Sequence, residues 1–100
     1  MMNQLIFIGR IKEIKDKNGE TIISVENSRP YKNENGEYDT DIVDFKLWGA
    51  IADNVKEYCK TNDVVGIKGR IQTKILEDQK ITELVAERIT FLSTNKEEEK

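Results

Sequence analysis

The chain has 100 residues with one proline, six glycines and 37% apolar content, enough for one compact core but not for two. Histidine is absent and Cys59 is the lone cysteine, so zinc centres, Ser-His-Asp or Cys-His catalysis and disulfide frameworks lack their parts, and neither a metal nor a cofactor is expected. Sixteen basic against nineteen acidic side chains leave a formal charge of -3, which argues against a partner held by electrostatics alone. The longest apolar stretch, Leu5 to Ile8, is far short of the roughly 20 residues a membrane helix needs, and no basic region precedes it. A soluble, cytoplasmic chain is expected.

From the N-terminus, Gln4 to Ile14 is apolar and β-branched and leads to Asn18-Gly19, a strong hairpin signal. The return strand covers Thr21 to Ser28 and is expected to close at Arg29-Pro30-Tyr31, because proline has no N–H for a central ladder. A polar stretch, Lys32 to Asp39, holds a second turn signal, Asn35-Gly36, before a third strand from Thr40 to Trp48. The period then changes. Ile51, Ala52, Val55, Tyr58 and Cys59 recur at helical spacing between Ala50 and Lys60, and this stripe is expected to be buried. Alternation returns in Val64 to Leu76, a turn is expected over Glu77 to Lys80, and Ile81 to Leu92 forms the fifth strand. A short charged tail over residues 94–100 is expected to fray. Three strands, one helix and two more strands describe a five-stranded Greek-key barrel of the OB type over residues 1–93.

Parity within the strands separates core from surface. On the third strand Val43, Phe45 and Leu47 face inward, leaving Ile42, Asp44, Lys46 and Trp48 on a wet face. On the fourth, Val65, Ile67, Ile71 and Ile75 are expected inward and Lys68, Arg70, Gln72, Lys74 and Leu76 outward. A row of cations beside an exposed indole suits single-stranded nucleic acid, whose bases stack while its phosphates meet the cations. The plainer alternatives are a tryptophan folded over a barrel end or against another subunit, and a merely solvated charged face. Tyr31 and Tyr38 flank the Asn35-Gly36 loop with Arg29 and Lys32 close by, so this excursion offers a further stacking ring or simply anchors the loop. In the first strand Leu5 and Phe7 point one way and Ile6 and Ile8 the other, with no charge between Gln4 and Gly9; such a strand invites self-association. Glu83 and Glu87 are read as solubilising a strand face.

The stretch Met2-Asn3-Gln4-Leu5-Ile6-Phe7-Ile8-Gly9-Arg10-Ile11 resembles the opening strand of bacterial single-stranded DNA-binding proteins. Ser28-Arg29-Pro30-Tyr31, Asp44 to Gly49, Asn54-Val55-Lys56-Glu57-Tyr58, Val64 to Thr73 and Ala86 to Leu92 follow in that family's order. The resemblance implies non-catalytic coating of single strands in replication, repair or recombination, by tetramers whose dimers pair through the first strand. The family's stacking aromatics align with Tyr31, Ile42, Trp48 and Leu76, so two of the four positions are aliphatic here. Family members usually continue through a linker to an acidic tip ending in apolar residues. Asn95 to Lys100 is acidic without such a tip, and enzyme recruitment through it is not expected.

The sequence therefore predicts a sequence-tolerant single-stranded DNA binder without a catalytic step. Trp48 and Tyr31 stack on bases, Ile42 and Leu76 add apolar contact, and Lys46, Lys68, Arg70, Lys74, Lys32 and Arg10 meet phosphates. Leu5, Ile6, Phe7 and Ile8 form the oligomer interface. The alternative is a replication-accessory protein of the primosomal kind that works chiefly through protein contacts.

Overall fold

A computed structural model describes residues 1–93 of the chain. It contains β1 (Leu5–Lys17), β2 (Glu20–Lys32), β3 (Tyr38–Leu47), α1 (Gly49–Tyr58), β4 (Val64–Leu76) and β5 (Gln79–Ser93). The strands close into a barrel in the order β1-β2-β3-β5-β4, antiparallel throughout except where β3 meets β5 at Lys46 and Val85. This is the expected five-stranded architecture with its helix between the third and fourth strands. The tail expected over residues 94–100 lies outside the described residues. Among the described residues no helix is long and apolar enough to cross a membrane.

One long strand closes the barrel by serving two neighbours. Leu5 to Arg10 pair with β4, then Arg10 to Lys17 pair with β2, and a bulge at Lys12 bends the strand within its pairing to β2. Gly9 sits at the crossing, where a Cβ would run into the Glu26 carbonyl, so only glycine fits. Asn18 and Gly19 both adopt positive φ (53° and 81°), the primed turn that their sequence predicts. The β4–β5 turn is tighter than the expected four residues. Leu76 pairs with Gln79 around Glu77 and Asp78, whose φ values of 50° and 66° again fit a two-residue primed turn.

Three expectations need correction. β2 does not stop before Pro30 but runs on to Lys32, with its pairing to β3 broken between Ser28 and Lys32. Beyond Glu26 it pairs, among the described residues, with β3 alone, and an irregular stretch of an outer strand tolerates a residue that cannot donate. Ile71 and Ile75 are exposed, because β1 covers β4 only as far as Gly69; the rest of the β4–β5 hairpin projects beyond the barrel and has no interior to face. Tyr58 is 63% exposed, since α1 ends at that residue and the chain turns extended at Cys59.

The core is aliphatic around one ring. Ile11, Ile23, Val25, Phe45, Leu47, Val65 and Ile67 are inaccessible, and Ala52 and Val55 of α1 complete the cluster. Phe7 packs on Phe45 with ring centroids 5.7 Å apart. Full burial of such side chains contributes about 1.5 to 3 kcal/mol each, which fixes the inward parity of every strand and hence what is left to point outward.

Candidate nucleic-acid interface

Tyr38, Thr40, Ile42, Asp44, Lys46 and Trp48 share one parity along β3 and its exit, opposite the buried Phe45 and Leu47. At about 3.3 Å per residue, the row from Tyr38 to Trp48 spans about 33 Å of outer barrel surface. Ile42 is exposed, and Trp48 is 49% exposed. The indole sits on the N-cap residue that precedes α1. Its backbone is extended (φ -129°, ψ 153°), its carbonyl accepts from Ala52, and the following Gly49 takes φ +57°, which lets the chain turn from strand to helix. Trp48 therefore occupies the wet wall that alternation predicts.

Between the β1–β2 turn and the β4–β5 hairpin this wall deepens into an open groove of about 640 Å³. Ile42, Leu76 and Ile81 give it apolar surface, while Lys17, Lys46 and Lys74 face Glu20, Asp44 and Glu83 within it. Lys46 differs from expectation. It has the outward parity but is 9% exposed, because its ammonium lies 2.9 Å from both Glu20 Oε2 and Glu83 Oε2. Two carboxylates supply the compensation that a covered ammonium requires and raise its pKa, the Glu83 contact most. Its Nζ is also 6.0 Å from the Trp48 ring centroid, at the outer reach of a cation–π contact.

Glu83 is the hub of the groove rather than a carboxylate that merely solubilises its strand. Gln72 Nε2 donates to its Oε1 at 2.8 Å, and Lys46 and Lys74 converge on Oε2 at 2.9 and 3.4 Å. The Gln72 and Lys46 hydrogen bonds hold its carboxyl down at about 2. A sequence signal for it existed. The two-residue turn sets Gln72 opposite Glu83 and Lys74 opposite Ile81, whereas a four-residue turn shifts the partners. Glu87, the other carboxylate read as solubilising, holds Arg70 Nε at 3.0 Å.

The remaining expected cations do not form one stripe. Lys74 lines the groove, but Lys68 lies on another face, lining a shallow depression of about 250 Å³ with Ile6, Ile8 and Leu92. Alternation along β4 misses this because the barrel curves the strand from one face to the other. Arg10 donates to the Asn62 carbonyl at 3.2 Å and sits in register with Glu26, itself beside Ile42. Arg29 is committed to Asp41 through two 3.0 Å hydrogen bonds, which raise its pKa and lower that of Asp41. Tyr31 is exposed, and the Lys32 ammonium stands 5.8 Å from the Tyr38 ring centroid, so the β2–β3 end carries two open rings and a cation. In β1, Leu5 and Phe7 pack against the core, whereas Ile6 and Ile8 are exposed on the outer side.

Residues 2–92 match the model of the Single-strand binding protein family. The chain belongs to that family. It is 35% identical to Single-stranded DNA-binding protein 1 of Clostridium acetobutylicum over 96% of this chain and 98% of that protein. Against Single-stranded DNA-binding protein B of Bacillus subtilis the identity is 31%, over 92% and 91%. The chain spans only 65% of a 31%-identical relative from Oceanobacillus iheyensis. In shape it is similar to the Plasmodium falciparum SSB complexed with ssDNA, at TM-score 0.71, 21% identity and coverage of 93% and 96%. A small single-stranded DNA-binding protein from Mycoplasma pneumoniae matches at TM-score 0.71 and 17% identity, over 90% and 93%. These likenesses place the barrel among single-strand binding folds.

Proposed function

We infer that this chain binds single-stranded DNA without chemically altering it, largely independently of sequence. The carrying observation is the half-exposed Trp48 at the end of an outward row whose other side chains lead into an open groove. Trp48 and Tyr31 act as stacking platforms, and Ile42 and Leu76 give apolar contact without a π face. Lys32 and Lys74 are the phosphate contacts this path favours, with Arg10 at its border; Lys68 and Arg70 lie off it. The span from Tyr38 to Trp48 suits a site within the about 4–16 nucleotides of a single OB barrel. Family membership and the single-stranded DNA in the Plasmodium falciparum complex support the polymer's identity.

Self-association accompanies binding in this reading, because Ile6, Ile8 and Leu92 form an exposed apolar surface that a second copy would cover. Replication, repair or recombination in the cytoplasm is the corresponding setting. Titration with oligo-dT while following tryptophan emission tests the core of the reading. Quenching that is reversed as salt rises is expected from stacking coupled to counterion release. Unchanged emission at low salt and micromolar protein sinks it.

A further inference from the structure

The groove contains as many carboxylates as ammonium groups: Lys17, Lys46 and Lys74 against Glu20, Asp44 and Glu83. Two of its lysines, the covered Lys46 and the exposed Lys74, are already engaged. Lys46 is clamped between Glu20 and Glu83, and Lys74 shares the same Glu83 oxygen. Glu83 keeps this arrangement rigid, since Gln72 holds its other oxygen and its side chain is 15% exposed. Three donors around one carboxylate, facing an open groove, form a site that an anionic phosphate oxygen would also satisfy.

We propose that Glu83, assisted by Glu20, is an internal competitor for DNA phosphates, occupying Lys46 and Lys74 so that the groove floor is electrically neutral until a strand displaces it. This deepens the single-stranded DNA reading and rests on it. A phosphate that takes over a lysine from Glu83 exchanges one fixed anion for another, so fewer solution ions are released than the lysine content implies. The competitor thereby weakens affinity and flattens its salt dependence. It also disfavours a backbone-first mode on the groove floor and leaves the apolar floor to the bases.

The test compares Glu83→Gln, Glu20→Gln and, as a control for net charge, Glu57→Gln on the exposed face of α1, in anisotropy titrations of fluorescein-labelled oligo-dT across a salt series. Glu83→Gln is expected to bind severalfold tighter at low salt and to steepen the slope of log K against log salt by about 0.7 for each lysine released to a phosphate. Glu20→Gln, at a more exposed carboxylate, changes both in the same direction by less, and a melting curve for each variant verifies the fold. Equal tightening by Glu57→Gln would reduce the effect to overall charge and overturn the proposal. So would unchanged or weaker binding by a folded Glu83→Gln, or by Glu20→Gln should the first variant not fold. Wild-type binding in those cases leaves the DNA reading standing, whereas no binding by wild type or any variant overturns both.

Discussion

The two outer faces of the barrel arise from the same parity rule and finish with opposite chemistry. On the β3 side and the hairpin beside it, outward charges are matched: Lys46 with Glu20 and Glu83, and Lys74 with Glu83. On the β1–β4–β5 side, Ile6 is 73% exposed beside Ile8 and Leu92, and Lys68 and Arg88 next to them have no ion pair among the described residues. Ion-paired side chains can trade one partner for another at small net cost, whereas a patch made mainly of aliphatic side chains gains by being covered. The difference separates a groove whose lysines are ion-paired from an apolar patch flanked by two cations.

The sharpest way to break this comparison is to charge the exposed Ile6 and Ile8 patch, which self-association would cover. Ile6→Glu combined with Ile8→Glu is expected to convert an oligomer to monomers in light scattering, with the barrel intact by circular dichroism; a wild-type chain of monomer mass at micromolar concentration would remove the distinction. Next in size, Trp48→Ala is expected to cost about 1 to 3 kcal/mol in oligo-dT binding, roughly 5- to 150-fold, without altering oligomeric state. Ile42→Phe tests the same face by gain. It places a ring at an exposed site and should tighten binding by about 1 kcal/mol, read by anisotropy with the labelled oligonucleotide. The smallest effect is on stability against pH. Glu83 has its carboxyl lowered from 4.5 to about 2, so its contribution is complete above 4.5 and is lost as pH falls toward 2. Thermal melts across that window should decline, and Glu83→Gln should melt lower at neutral pH and decline less.

Much of the barrel was legible because its turns and core follow local rules. Asn18-Gly19 specified its hairpin, and the switch from a two-residue to a helical period located α1. Trp48 was legible as well, since Asp44 and Lys46 on the same parity could not enter an apolar interior. What escaped was set by curvature and pairing. Lys68 and Lys74 share a parity on β4, yet the barrel bends that strand between two faces. Ile71 fits the inward alternation and still finds no interior, because β1 has already departed. Lys46 has the outward parity that alternation predicts, but its covering depends on Glu20 and Glu83, residues on strands far apart in sequence, whose convergence no local pattern announces.

Asn3 stands before β1, and its side-chain amide meets the backbone of Ile71 twice, donating to the carbonyl at 2.6 Å and accepting from the N–H at 3.0 Å. A side chain here does the work of one more rung, beyond Leu5 and Gly69 where the ladder ends. The β4–β5 hairpin, whose strands line the groove, is thus tethered through Ile71 by a residue that precedes the first strand. Asn3→Ala is expected to remove both hydrogen bonds at a residue outside the groove lining, read as faster amide exchange at Ile71.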